Sequence, residues 1–358
     1  MKDKHIYIAE DSELFRSVCR SVEEQHLDSD RYFYLKLLLK FVFWFTLLLF
    51  FYTRLYVSAS PAVFVLFYVL YGYSALLLAF NFAHDFAHGT VFRSEKLNNF
   101  CYTVIYTFLG AHAEAWKERH IHSHHHAPNV EHYDSDLKIT NLIRLTPGSP
   151  KRWYHRYQHI YAPLAYTIYS LFWIFIKDIV ILFSKDEYTH KKGVLYHLSF
   201  WTQKAVYFTF ILIMPLMYAP QLRTTVLAGF LLMHLLQSLF LLMTFLMTHH
   251  VETTMYPTTD EQGNIRTSWL MNQVGSSNDM YPFSRVANFI FGGFNNHIAH
   301  HLFPNYHHMY YPEISRIVYG ILERQHIHPN HTTYRGGVVS HLRLLKRMGR
   351  ADDLVVSK

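Results

Sequence analysis

The sequence predicts an all-α integral membrane protein: about four transmembrane helices and a cytosolic helical cap that holds a histidine-rich metal site. Three observations predict it. Of 358 residues, 51% are hydrophobic and 17% aromatic against 16% charged, the balance of a chain with long buried apolar stretches. Apolar runs near the roughly 20 residues that cross a bilayer recur along it. Three histidine clusters, HDFAH at 84–88, HIHSHHH at 120–126 and HIAHH at 297–301, each follow an apolar segment within a few residues.

Residues 1–32 read as a cytosolic or interfacial N-terminal segment. MKDKHIYIAEDSELF has no apolar region of the kind a cleavable signal peptide needs, so the first span is expected to direct insertion. After Asp11, SELFRSVCRSVEEQ has the spacing of a short amphipathic helix on the membrane surface or cap. Residues 33–54 form the first span, with Lys36 and Lys40 snorkelling at its start and Arg54 at its end. After Ser60-Pro61, the charge-free run 61–83 is the second span and delivers His84 and His88. The shorter run 97–113, broken by Asn98, Asn99 and Gly110, is interfacial or buried. Residues 160–176 approach spanning length, but Pro163 and the Lys177-Asp178 pair favour a tilted interfacial helix. Runs at 204–219 and 224–248, separated by Pro220 and Gln221, are the last two spans.

Parity supports this count, because the second and third clusters share a side only if an even number of spans separates them. The charge bias agrees: Lys117, Arg119, Arg144, Lys151, Arg152, Lys191 and Lys192 lie on the cluster side against Arg54 and Arg223 opposite. The expected protein is multi-pass with both termini and all three clusters cytosolic. Residues 33–311 make its membrane domain and 312–358 a C-terminal segment. In its 312–350 surface helix, Val338, Val339, Leu342, Leu345 and Met348 oppose Arg343, Lys346, Arg347 and Arg350, a basic amphipathic tail expected to rest on headgroups.

Residues three and four apart share a helix face. His84 and His88 therefore point together, as do His120, His124 and His125, and His297, His300 and His301. Eight imidazoles exceed the need of one ion, so a site fed by all three clusters is more naturally dinuclear. Imidazoles without nearby thiols fit iron, copper or zinc and exclude an iron–sulfur centre. Cys19 and Cys101 provide no disulfide framework. The net charge of +7, concentrated beside apolar runs, suits an anionic lipid surface better than nucleic acid. There is no Walker motif, GxGxxG or solenoid repeat.

These residues resemble the membrane fatty acid desaturase family, whose three boxes read HxxxH, HxxHH or HxxxHH, and HxxHH or QxxHH. HDFAH matches the first box and HIAHHLFP the third with its trailing Leu-Phe-Pro, while PNVEHYDSD at 128–136 resembles the PN…DxD tail that follows box two. Trp116, WYHRYQHIYAPLAY at 153–166 and GGFNN before box three are smaller echoes, and the likeness covers about 80–320. It implies a centre of two Fe ions held by His84, His88, His120, His124, His125, His297, His300 and His301. A further ligand comes from the end of the last span, where the spacing to Glu252 favours His249 over His250. Box two has a second register with His122 and His126 as alternates, and the interval to Pro128-Asn129 favours the first. His297, where front-end desaturases usually carry Gln, looks more like the methyl-end enzymes.

The implied activity is O2-dependent insertion of a double bond into a lipid- or CoA-linked acyl chain. No HPGG-type cytochrome b5 motif is visible, so an external donor of ferredoxin or cytochrome b5 type is expected, docking on the basic face. Asp85, Asp134, Asp136 and Glu252 are the expected acceptors for the imidazoles' other nitrogens. His234 and Gln237 inside the last span are read as bundle hydrogen bonds. His5, His26, His155, His190, His326, His328, His331 and His341 are expected to be solvated, and His307 and His308 to have at most a role in donor docking. Hydroxylases, ketolases and acetylenases share the boxes. A histidine-rich metal transporter is a rival of another class, but transporters place ligands near the bilayer midplane. A structural zinc site needs only four ligands.

Overall fold

The computed structural model describes residues 4–137, 141–184 and 192–351; His190 and Lys191 fall outside them. The chain is overwhelmingly helical and divides into two interleaved units, one of residues 31–118 and 164–242, the other of 1–30, 119–163 and 243–358.

The first unit contains the apolar helices. Phe33–Arg54, Pro61–Ala87, Val194–Tyr218 and Arg223–His249 are long and apolar enough to cross a bilayer, and the last carries its final turns into the other unit. The third begins ten residues before the run at 204–219 read from the sequence. Lys204, which marks that border in the sequence, turns inward, where its ammonium donates to the Asp178 carboxylate and the Gly110 carbonyl, each at 2.6 Å. Lys40 is also buried rather than snorkelling, while Lys36 is exposed. The 160–176 stretch is not straight: helices Trp153–Thr167 and Tyr169–Phe183 are bent by 66° at Ile168, five residues after Pro163.

Spans two and four approach closely because glycine allows it. A Cβ on Gly72 would meet Met233 Cγ at 2.4 Å, and one on Gly229 would meet Tyr68 at 3.1 Å. His234 accounts for both its ring nitrogens inside this unit, with Nδ1 2.8 Å from Ser170 Oγ and Nε2 2.7 Å from Tyr207 Oη. It is the bundle hydrogen bond the sequence suggests, of a kind worth about 1 kcal/mol in a membrane.

The second unit has short helices around its own core. The helix Ala9–Glu23 buries Val18 and Val22 with Leu270, Val274, Ile298 and Leu302, and with Ile314 and Val318 of helix Tyr311–Arg324. The C-terminal region is two helices, not one. In the second, Tyr334–Arg350, Leu344, Leu345 and Met348 are buried in protein, Val338 and Leu342 are half-buried and Val339 is exposed, so part of its apolar stripe packs on the protein itself. A Cβ on Gly349 would lie 2.0 Å from the His155 carbonyl oxygen, a contact only glycine permits. Arg144 is likewise no surface cation: its guanidinium is buried and donates to the carbonyls of Pro147, Ser149, Met348 and Ala351.

Two histidines expected in solvent are buried instead. His155 Nδ1 accepts from the Arg152 N–H and its Nε2 donates to the Asn141 carbonyl, and His341 Nδ1 lies 2.7 Å from the His250 carbonyl oxygen. His5 is half-buried, 2.9 Å from Asn272 Oδ1, whereas His26, His326, His328 and His331 are exposed.

Candidate metal centre

The centre in the second unit starts with how box two is coiled. His120–His124 forms a π-helical turn, closed by the His125 N–H donating to the His120 carbonyl at 3.0 Å. The extra residue in that turn brings His120 Nε2 within 3.1 Å of His125 Nε2. Box three is the short helix His297–Leu302, all of it buried. Its start is fixed by Asp279, whose carboxylate accepts from the Ile298 N–H at 2.9 Å and the Tyr319 hydroxyl at 3.0 Å. Burial raises the Asp279 pKa to about 7 despite those donors.

His124, His249, His297 and His301 converge, all buried. The Nε2 atom of His249 lies 3.0 Å from that of His124, 2.7 Å from that of His297 and 3.2 Å from that of His301. On the far side of three of the rings, Nδ1 finds an oxygen. For His124 it is Asp134 Oδ2 at 3.1 Å, for His249 the Ser276 carbonyl at 2.8 Å, for His301 the Gln273 Oε1 at 2.9 Å. These acceptors hold the proton on Nδ1 and turn the Nε2 lone pair to the common point, as metal-ligating imidazoles require.

His120, His125 and His300 adjoin this group. His125 stacks on His301 with centroids 4.5 Å apart, His120 on His300 at 6.0 Å, and His300 Nδ1 is 3.1 Å from the Tyr311 hydroxyl. Burial, and then the neighbouring imidazoles, hold His301 well below the ordinary histidine range, so it stays neutral with a lone pair to give. For His124, burial lowers the pKa, but the Asp134 charge and hydrogen bond outweigh it and raise the value. Asp134 correspondingly stays anionic, and also accepts from the Asn129 and Asp136 N–H groups.

In the other unit, box one follows a second π-helical turn, Ala79–Ala83, and opens the helix His84–Ala87. His84 and His88 face each other at 4.9 Å between centroids, with Trp116 6.1 Å from His84. Asp85 is buried and lies 3.5 Å from Thr90 Oγ1.

Several other expectations resolve differently. His122 is exposed, and His126 stands edge-on to His5 at 5.7 Å. His250 points to the Tyr256 hydroxyl at 2.9 Å, and burial lowers its pKa to about 3. Glu252 is not an acceptor for an imidazole: its carboxylate lies 3.5 Å from Ser340 Oγ and 3.9 Å from Arg343. His307 and His308 are buried and offer no docking surface. Sequence reasoning missed Gln273, Ser276, Tyr311 and Asp279, and Asn129, whose Nδ2 donates to the carbonyls of His249 and Met255 at 2.9 and 3.0 Å. The available signal was NQVGSSND at 272–279, a nearly charge-free polar run.

The donor set fits iron: neutral imidazoles with the distal nitrogen engaged and no thiolate among them, a nitrogen-rich set that also suits copper or zinc. Comparison with known proteins narrows it. The family model for fatty acid desaturases matches residues 59–333. An acyl-lipid (8-3)-desaturase of Physcomitrium patens is 30% identical over 75% of this chain and 56% of its own length. An sn-1 linoleoyl-lipid 6-desaturase of Arthrospira platensis is 26% identical over 78% of this chain and 76% of its own. For acyl-lipid (8-3)-desaturase B of Dictyostelium discoideum the figures are 28%, 81% and 65%. The chain thus spans little more than half the length of the moss protein.

Proposed function

Because the chain belongs to the fatty acid desaturase family, we propose that it is an O2-dependent desaturase that introduces a double bond into a lipid- or CoA-linked acyl chain. The relatives named for acyl-lipid and linoleoyl-lipid substrates favour the lipid-linked form. The observation that carries the reading is the convergence of four Nε2 atoms, with the partner nitrogens of His124, His249 and His301 fixed by Asp134, Ser276 and Gln273. The proposed ligands of two iron ions are His84, His88, His120, His124, His125, His249, His297, His300 and His301. Those of box one rest on the sequence pattern.

When bound, the iron pair supplies the oxidising power that side chains lack for an unactivated methylene. Two C–H bonds break and one C=C forms. The four electrons that reduce O2 to two waters come two from the acyl chain and two from an external one-electron donor, which we place among ferredoxins or cytochromes b5. The protein's part is to keep imidazoles neutral and aimed. Burial of His301 disfavours its protonation, and Asp134 stabilises an Nδ1–H on His124. Asn129 ties the backbone of His249 to that of Met255, so the end of the last span cannot fray away from the centre. We place the boxes and both termini on the cytosolic side, which the distribution of Lys and Arg favours.

The test is expression in a host of known lipid composition, with mass spectrometry of total fatty acids and His124→Ala as control. A new unsaturated chain in the wild type alone is the expected result. A hydroxylated or keto product would move the chain to another chemistry of the same boxes, and an unchanged profile with adequate reductant would overturn the reading.

A further inference from the structure

The second unit has an apolar surface that its own core does not use. After the pair Asp279–Met280, residues 281–291 form a turn and the helix Arg285–Phe291. Ala287 and Asn288 face inward, and Asn288 Nδ2 donates to the His308 carbonyl at 3.0 Å and to Asn296 Oδ1 at 3.3 Å. The outward side is Tyr281, Phe283, Val286, Phe289 and Ile290, all exposed, Val286 at 71%. Val286, Phe289 and Ile290 are spaced i, i+3, i+4, one helix face. Contiguous exposed apolar residues rimmed by polar ones mark an interaction site.

What covers this patch follows from where it is tied. Asn278 donates from its backbone to the Thr248 carbonyl at 2.8 Å and from Nδ2 to the Met247 carbonyl at 2.9 Å. Met280 is buried with Met247 and Val251. Met247 and Thr248 lie in the last turn of the helix Arg223–His249, so the patch is tied to the end of a helix long and apolar enough to cross a bilayer. At its rim Arg285 pairs with Glu313, and Arg316 donates to the Phe283 carbonyl at 3.2 Å, cations beside an apolar face, the combination that suits a headgroup layer. Its other end is short and stiff. Gly292 and Gly293 take φ of 59° and 90°, a Cβ on Gly293 would meet His308 Cβ at 2.7 Å, and box three opens four residues later at His297.

We propose that residues 281–290 are a lip inserted into the bilayer surface, and that it receives membrane-resident, lipid-linked acyl chains at the side of the metal centre bearing box three. The substrate half of this inference rests on the desaturase reading above; the membrane half does not.

The test uses the full chain with Cys19→Ser and Cys101→Ser, reconstituted in bilayer nanodiscs of phosphatidylcholine and phosphatidylglycerol. A bimane label is placed at Val286→Cys or Ile290→Cys, with Arg324→Cys as control. With lipids brominated in the upper acyl chain, emission at 286 and 290 falls to about half or less, as expected for a helix face some 5–10 Å into the headgroup boundary, and that at 324 does not. No quenching at 286 overturns the lip, and shielding from both brominated lipid and aqueous iodide assigns the patch to a second copy or another protein. The double variant Val286→Glu with Ile290→Glu, labelled instead at Phe283→Cys, then loses the quenching that the same label shows without the two glutamates. Its KM for a phospholipid-linked chain rises several-fold, while iron content and kcat stay near wild type. Unchanged KM overturns the port. A wild type that desaturates nothing overturns the function and leaves the quenching result standing.

Discussion

His234 and His249 lie on the same helix, Arg223–His249, and their surroundings could hardly differ more. His234, in the apolar unit, has an oxygen on each ring nitrogen, Ser170 on one and Tyr207 on the other. His249, in the other unit, has an oxygen on Nδ1 only, and its Nε2 faces the Nε2 atoms of three further imidazoles. A buried polar group that finds its partner is finished. Nitrogens brought within 2.7–3.2 Å of one another cannot all be donors, and their lone pairs repel unless a cation stands among them. At His234 the polar side chain holds helices together, and at His249 it holds a lone pair apart from its natural partner.

The largest effect that tests this contrast is His249→Ala, expected to cost at least about 100-fold in desaturation and most of the bound iron, since loss of even an outer partner costs 10–100-fold. Iron per chain by elemental analysis and fatty-acid profiling check it. Retained iron at wild-type stoichiometry would break the comparison. Next comes Gln273→Leu, which removes the oxygen beside His301 Nδ1; iron affinity should fall about 10–100-fold, read by competition with a chelator. His234→Phe should behave oppositely. Leaving Ser170 and Tyr207 without their ring partner costs about 1–3 kcal/mol of stability, visible as a lower unfolding midpoint, with iron content intact. Smallest is Glu252→Gln, within about 0.5 kcal/mol and about twofold in activity, because its carboxylate faces Ser340 and Arg343 near the surface. A tenfold loss there would restore it to the centre.

The spans were legible because a charge-free run near bilayer length has few alternatives, and the boxes because imidazoles at helical intervals are rare. What the sequence could not reveal were partners supplied across the chain. Gln273 meets His301 and Asp279 meets Ile298 only after the segment 268–280 folds back on box three. Glu252 misled by proximity, since three residues from a ligand in sequence does not fix the direction of a side chain beyond the helix end. His155 and His341 looked soluble because each sits among cations in sequence, but their helices turn those positions inward against backbone carbonyls. Lys204 and Arg144 misled in the same way: a charge marks a boundary only when water, rather than an aspartate or a set of carbonyls, receives it.

The π-helical turns at Ala79–Ala83 and His120–His124 carry a consequence for what the gene can tolerate. Each is one residue longer than the α-helical turn it replaces. Deleting a single codon there closes the wide turn to a regular helix, re-spacing the box residues in or beside it while leaving length, composition and hydropathy almost untouched. Point substitutions along these stretches should therefore be far gentler than single-residue deletions, and a deletion scan across 79–83 and 120–124 would read the difference as lost iron.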